Sequence, residues 1–515
     1  MARTSAGERL GEGSMMRPWR AVAGALIACY LGFGFIASAP VDVPRSPDLP
    51  PISDMPEVAA QDGLLTVTLE ARAGKTLFDG IAIDTYGYNG TFSGPVLRAA
   101  PGDTMRIRLV NRLHEPTNLH FHGMQGPPRG NGDNVHISVP AGADFDYEIR
   151  IPRHQPPGAY WYHAHEHGLA ENQVGHGLSG ALMIEGFAAR IPGLEHVRER
   201  LFAFKSIEIE DSEDPVVNDE WHGVLQTING HTTVSETAQP GETVLWHLTN
   251  HDANQTVHLS LAGHRFSVIG RDGAAIPHAY QEDVLHIGPA ARLEVLVTAG
   301  AEGDYKITTQ NVLTGKGAAL TRDRIVGRFI VSGPSTTSAQ YALPSMADLS
   351  GLAVSAYRTF VFSQSKDAEK YYINGRLFDP GRTDTRVNLG DVEDWTIRND
   401  TDDMHAFHIH QLAFQVMSVN GKPLAFDGLL DTVRVPERGE ITVRLAFTKP
   451  EIVGTFMYHC HVLKHEDKGM MQVIEVIDPK AAKHASNGNG GLAGWLSGLV
   501  RGSDNPPICS AWAPG

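Results

Sequence analysis

Three stretches of this chain repeat one another, and that self-similarity constrains the fold more than any other feature. Gly102-Asp103, Gly241-Glu242 and Gly390-Asp391 each open a run that ends in asparagine at the same spacing, at Asn111, Asn250 and Asn399. Within the runs apolar and polar residues alternate, as in Met105, Ile107 and Leu109 or Val244, Trp246 and Leu248. That is the period of a half-buried strand. An Asn-Gly hairpin signal precedes each run, at Asn89-Gly90, Asn229-Gly230 and Asn374-Gly375. A repeat of about 140–150 residues in a 515-residue chain implies three domains of ordinary size. The alternation continues elsewhere, in Leu293, Val295 and Val297 and in Ile441, Val443, Leu445 and Phe447, and no long 3.6-period segment interrupts it. The expected fold is all-β, three consecutive Greek-key β-sandwich domains.

A second repeated block carries the chemistry. Residues 158–165, Gly-Ala-Tyr-Trp-Tyr-His-Ala-His, match residues 454–461, Gly-Thr-Phe-Met-Tyr-His-Cys-His, while the middle copy at 303–310 has no histidine. His120 and His408 have a counterpart in His258, but the partner position there is Ser260. Copies one and three keep residues suited to metal binding and copy two lacks them. A metal cluster bridging the outer domains follows, with the middle domain as a spacer.

With 25 histidines in the chain, a chance His-x-His is expected roughly once. Four separate stretches carry such a pair: His120/His122, His163/His165 (continued by His167), His408/His410 and His459/His461, with His405 preceding the third. The last pair encloses Cys460 and is followed by His465 and Met470. On a strand, alternate side chains point to opposite faces, so Cys460 would bind metal on one side while His459 and His461 reach a second metal centre on the other. Cys460, His465, a second imidazole and a weak axial Met470 are the ingredients of a blue-copper electron-transfer site. Nitrogen-only clusters could hold zinc, but the Cys/His/His/Met set prefers copper.

Composition suits a soluble globular protein, 42% hydrophobic and 20% charged, and a net charge of −16 with no basic stripe argues against nucleic-acid binding. Arg17 and Arg20 precede a mostly apolar run, Ala21–Ala39, ending in Ala37-Ser38-Ala39, which suits signal-peptidase cleavage. The run is also near the length of a bilayer span, so an uncleaved membrane tether is the alternative. Met15 or Met16 is a more natural start than Met1. Leu26-Ile27-Ala28-Cys29 only loosely resembles a lipoprotein signal, and no Arg-Arg pair marks the twin-arginine route. Either way the folded part is expected outside the cytoplasm, in a periplasmic or other extracytoplasmic space. Of three cysteines, Cys29 lies in the signal and Cys509 in a Gly/Asn/Pro-rich tail, which leaves no structural disulfide. The expected boundaries are 1–39 for the signal or anchor, 40–59 for a Pro-rich linker, 60–188, 189–340 and 341–479 for the three domains, and 480–515 for a flexible tail with a Trp495, Leu496 and Leu499 patch.

The motifs together resemble the multicopper oxidases of the three-cupredoxin kind, the family of laccases and periplasmic cuprous oxidases, over roughly residues 60–478. The resemblance implies cupredoxin-like domains and four copper ions. His405, Cys460 and His465 would bind the type 1 copper, with Met470 axial. His120 and His408 would hold type 2 copper, and His122, His163, His165, His410, His459 and His461 the type 3 pair. His167 has no family role. Phe121 stands where tryptophan is usual and Ala406 where proline is usual, both at packing positions. Met470, where high-potential fungal laccases have leucine or phenylalanine, implies a low or moderate type 1 potential.

The resemblance also implies a mechanism. A donor docks near His465, whose ring edge is expected closest to solvent, and gives single electrons to the type 1 copper. They pass through Cys460, His459 and His461 to the trinuclear cluster, where dioxygen becomes water. Glu466 and Asp133 are the expected proton donors, although Asp133 sits in Asp-Asn where the family usually shows Asp-Gly. Small organic reductants such as phenols and aromatic amines are the expected donors, because the 13 methionines form no Met-rich insertion of the kind seen in cuprous oxidases. Cuprous or another metal ion is the runner-up donor. A copper-binding protein without turnover and a copper nitrite reductase are further alternatives, and the complete set of type 3 histidines weighs against both.

Overall fold

The computed structural model describes residues 49–53, 55–209, 223–313 and 323–481. The apolar run Ala21–Ala39, Cys29, Cys509 and the tail patch lie outside the described residues, and no described helix is long and apolar enough to cross a membrane. Six sheets pair into three consecutive sandwiches of the cupredoxin-like kind. The first combines a five-stranded sheet (Glu57–Ala59, Gly94–Ala99, Ser179–Ile184, Gly158–His163, His120–His122) with a four-stranded one (Ile81–Tyr88, Leu64–Phe78, Thr104–Asn111, Asp144–Arg150). Each later sandwich pairs a six-stranded sheet with a five-stranded one. Inward residues of both sheets form each core: Leu69, Ile107 and Tyr162 in the first, Trp246, Leu259 and Phe329 in the second, Trp395, Phe407 and Ile474 in the third.

The repeated asparagines explain why the sequence returns to the same frame. Asn111, Asn250 and Asn399 end equivalent strands, Thr104–Asn111, Thr243–Asn250 and Val392–Asn399. Each side-chain amide donates to two backbone carbonyls across the turn: Glu115 and Val139, Gln255 and Ile287, Asp403 and Pro436. Each amide oxygen accepts the N–H two residues on, from Leu113, Asp252 and Thr401. A buried backbone turn is thereby satisfied by one side chain three times over.

The Asn-Gly signals behave alike. Asn89, Asn229 and Asn374 have φ of 56°, 55° and 53°, and the glycine after each is also left-handed, as a tight hairpin turn requires. Their amides clip the neighbouring strand, with Oδ1 accepting from Glu70, Ala203 and Val361 N–H.

Strand register then places the histidines. His120–His122 pairs with Gly158–His163 so that His120 faces His163, and His405–Ile409 pairs with Gly454–Cys460 so that His408 faces His459. In the middle sandwich the same pairing sets His258 opposite Gln310. Helices are short. Leu463–Asp467 of the third sandwich sends the Asp467 carboxylate to the backbone N–H groups of Gly168, Ala170 and Glu171, closing the start of Ala170–Gly175 in the first.

Candidate metal centre

Strand Gly454–Cys460 presents Cys460 to one side and His459 to the other, as the period of two requires. On the cysteine side, His405 Nδ1 lies 3.5 Å and His465 Nδ1 3.7 Å from Cys460 Sγ, and the two imidazole nitrogens are 3.1 Å apart. Met470 is buried in the same core and its carbonyl accepts the Cys460 N–H. Burial pushes the Cys460 thiol up to about 12, so near neutral pH a bound cation is what would make it a thiolate.

On the other side, eight histidines converge, four from each outer sandwich. Their ligand-capable atoms fall into three groups, His120/His122/His408, His122/His163/His461 and His165/His410/His459, beside the His405/Cys460/His465 group. All are buried. An ordinary core pairs its buried polar atoms; this one leaves Nε2 of His120, His163 and His408, Nδ1 of His122 and both ring nitrogens of His461 without a hydrogen-bond partner. In the third group, Nε2 of His459 lies 3.3 Å from that of His165 and 3.1 Å from that of His410. Two nitrogens sharing a tetrahedral metal at about 2.0 Å would sit roughly 3.3 Å apart, so the spacing fits a shared ion. Burial and repulsion from neighbouring imidazoles lower the proton affinity of His163 to about 3 and of His165 to about 4. Neutral imidazoles are the form that binds metal. The donor set fits copper: soft sulfur at one site and nitrogen at the other.

In His120, His122, His163, His408 and His459 the opposite ring nitrogen is held by an acceptor, which fixes the orientation of those rings. His120 Nδ1 donates to Asp133 Oδ1 at 3.0 Å, and His163 Nδ1 to the Ala164 carbonyl at 2.9 Å. Asp133 also accepts from Phe121 N and, through Oδ2, from the Gln411 amide; burial raises its carboxyl to about 7. Glu466 is fully buried, with Oε2 2.8 Å from His459 Nδ1 and Oε1 3.6 Å from His165 Nε2. Burial raises its carboxyl, and the contacts with His459 and His165 more than offset that and hold it below the usual range.

Three features were not legible in the sequence. His465, expected to present an edge to solvent, is only 2% exposed, because the Tyr371 ring stacks on it at 4.2 Å and 20°. The Tyr371 N–H donates to the Lys468 carbonyl three residues past His465, which pins the roof in place. The middle sandwich also reaches the histidine pocket. His251 stacks on Trp161, which stacks on His163, and Arg292 meets Asp431, the partner of His122. No local motif marks any of these residues. His167 stands apart from all four groups, edge-on to Phe378, on the wall of a cavity of about 990 Å³ that His165 also lines. Phe121 fills its packing position against Tyr147 and Tyr162, and Ala406 gives its carbonyl to the His461 N–H.

Family models described as multicopper oxidase match residues 70–188, 159–326 and 348–480. The chain belongs to the multicopper oxidase family and is a copper-dependent oxidoreductase. A multicopper oxidase of Staphylococcus haemolyticus is 28% identical over 443 residues, which covers 82% of this chain and 91% of that one. Among solved structures, a multicopper oxidase from Campylobacter jejuni described as a metallo-oxidase superposes with a TM-score of 0.69 at 25% identity, covering 83% of this chain and 94% of its own. A laccase-like multicopper oxidase from Ochrobactrum sp., described as having oxidase activity towards lignin model compounds and lignosulfonate, gives 0.68 at 26% identity, covering 83% and 100%.

Proposed function

We propose that this protein is an exported laccase-like oxidase that takes single electrons from phenols or aromatic amines and passes them to dioxygen. His405, Cys460 and His465, together with Met470, would hold a type 1 copper. His120 and His408 hold a type 2 copper. The type 3 pair is held by His122, His163 and His461 on one side and His165, His410 and His459 on the other. Copper bound in these sites supplies the one-electron acceptor and the four-electron reduction of dioxygen to water.

The observation that carries this reading is the position of Cys460. Its sulfur belongs to one metal-sized group while its chain neighbours His459 and His461 belong to two others. A storage protein has no need of such a covalent link. The chain's own residues do the rest. Burial excludes bulk water from both sites, and acceptors on one nitrogen of His120 and His163 aim the other into the pocket. Asp133 and Glu466 stand beside the pocket as proton-handling carboxyls, in contact with His120 and with His459 and His165.

The likeness to the Ochrobactrum laccase-like oxidase and the absence of a Met-rich insertion support an organic substrate. A metal-ion donor is the second reading, favoured by Glu369 and Glu171 near the Tyr371 ring and by the likeness to the C. jejuni metallo-oxidase. Export is supported by the apolar run Ala21–Ala39. Oxygen uptake by the copper-loaded protein tests the proposal. Uptake driven by a phenol supports the organic reading, uptake with cuprous ion alone supports the second, and none with either rejects both.

A further inference from the structure

The middle sandwich contributes to none of the four donor groups, yet it places a buried cation against one of them. Arg292 opens strand Arg292–Thr298 and is fully enclosed. Its guanidinium grips Asp431 of the third sandwich with both arms, Nη1 to Oδ1 at 2.7 Å and Nη2 to Oδ2 at 2.5 Å. Its Nε donates to the Ala159 carbonyl of the first sandwich at 3.3 Å. One side chain thus joins all three sandwiches. Asp272, also of the middle sandwich, completes the arrangement. Its Oδ1 accepts the Arg292 N–H, and its Oδ2 lies 3.2 and 3.3 Å from the backbone N–H groups of Asp431 and Thr432. The backbone of Asp431 and both its carboxylate oxygens are therefore fixed from the middle sandwich.

What Asp431 does with that fixed position matters. Its Oδ1 accepts from His122 Nε2 at 3.0 Å, and its carbonyl accepts from His408 Nδ1 at 2.8 Å. The Thr432 hydroxyl lies 3.2 Å from the first ring nitrogen and 3.1 Å from the second. A carboxylate and a carbonyl can only accept, so those two nitrogens carry the protons. The opposite nitrogens, His122 Nδ1 and His408 Nε2, are then bare, and both are buried without a hydrogen-bond partner. The rings are stacked at 3.9 Å with 18° between their planes, so one anchor orients both. The chain leaves room for the ion pair. Gly123, the residue after His122, has φ of +83°, and a Cβ there would come within 2.5 Å of Arg292 Nη2 and 2.7 Å of Asp431 Oδ2.

We propose that Arg292 and Asp272 are positioning residues for the trinuclear copper pocket: by clamping Asp431 they set which nitrogen of His122 and of His408 is free to bind metal. The inference rests on the copper assignments of the proposed function. It gives the sandwich without ligands a specific task. An unclamped Asp431 would let both rings turn or exchange tautomers, and loss of such outer hydrogen bonds weakens metal binding by about 10–100-fold.

The test compares wild type with Arg292→Met, Arg292→Lys and Asp431→Asn, the last preserving shape if the first folds poorly. Each is read for copper content on titration with cupric ion, the electron paramagnetic resonance of type 2 copper, the blue absorption of the Cys460 site, and the melting of the copper-free protein. The expected result is an intact blue band in all three variants. Copper binding in the histidine pocket falls by about 10–100-fold with an altered type 2 signal in Arg292→Met and Asp431→Asn, and recovers in part in Arg292→Lys. Normal pocket copper and an unchanged type 2 signal in a folded Arg292→Met or Asp431→Asn would overturn the proposal. So would equal loss from both sites in step with lower melting of the copper-free form, which would make the residues structural only. A wild-type protein with a blue band and an empty histidine pocket would instead overturn the copper assignments, and that outcome shows without any variant.

Discussion

The middle and third sandwiches share a frame and differ in what hangs on it. In both, an Asn-Gly turn clips the first strand and a buried asparagine, Asn250 or Asn399, closes the loop after the equivalent strand. In both, a tryptophan fills the core, Trp246 or Trp395. At the paired strands where the third sandwich sets His408 against His459, the middle one sets His258 against Gln310. The frame is thus held by hydrogen bonds and apolar packing and needs no metal to form. Relieved of ligands, the middle sandwich carries residues that serve its neighbours. Lys205 sits where the third sandwich has Ser363, by the register of Phe204 with Asn250 and of Phe362 with Asn399. Its ammonium donates across the boundary to the carbonyls of Phe92 and Gly177 in the first sandwich.

The comparison breaks most visibly at the equivalent histidine positions. His408→Ala should empty the histidine pocket of much of its copper and abolish oxygen reduction, whereas His258→Ala should leave copper content and turnover unchanged. Metal analysis and oxygen uptake on the two variants decide the matter, and a His258→Ala protein that lost copper would end the idea of a ligand-free middle copy.

The shared frame predicts equal costs. Asn250→Ala and Asn399→Ala each remove the same three hydrogen bonds to the backbone of a buried turn, Asn399→Ala also one from the Thr401 hydroxyl, and should each destabilise the copper-free protein by about 3 kcal/mol. Denaturant unfolding followed by fluorescence measures both. A cost at Asn399 that vanished without copper would show that the third frame depends on its metal.

Lys205 sharpens the contrast through pH. Burial lowers its ammonium from its ordinary value to about 7. Between about pH 7 and pH 9 the unfolded chain keeps this proton and the folded chain has lost it, so stability contributed by Lys205 rises with pH. Asp252 beside it, raised by burial to about 7, gives up the rest of its proton early in that window, and His247, held up to about 10 by Glu294 and Glu199 against burial, keeps its proton; both work in the opposite sense. The wild type should therefore gain about 2 kcal/mol over Lys205→Met from pH 7 to pH 9. Melting of the pair at both pH values checks this, since the His247 effect is common to both proteins. A constant difference would mean that Lys205 does not titrate there.

The smallest effect concerns the roof over the cysteine site. Tyr371→Ala should cost about 1 kcal/mol of stacking while opening His465 to the donor. Anaerobic bleaching of the blue band by a bulky phenol should then become faster at unchanged copper content. Slower bleaching would show that the ring conducts or docks the donor and does not shield the site.

Much of this was readable beforehand because the repeat writes it out locally. Asn111, Asn250 and Asn399 announce the frame, and His-x-His and His-Cys-His announce ligands, since a strand's period of two fixes which side each residue faces. The roof and the clamp were illegible for one reason. Tyr371 meets His465, and Arg292 meets Asp431 139 residues away, by the way separate segments come together. No spacing rule connects such residues. The solvent-facing edge expected for His465 failed on the same ground, because a neighbouring strand supplies the cover.

The central claim is that the Cys460 site and the histidine pocket form one electron-accepting unit, and a reductive titration tests it most directly. The copper-loaded protein is reduced without oxygen by a phenol in measured aliquots while the blue band is followed. Four donor groups predict four electron equivalents per chain before reduction is complete, with the blue band restored on admitting air. Completion after a single equivalent, with the histidine pocket still oxidised, would contradict the account.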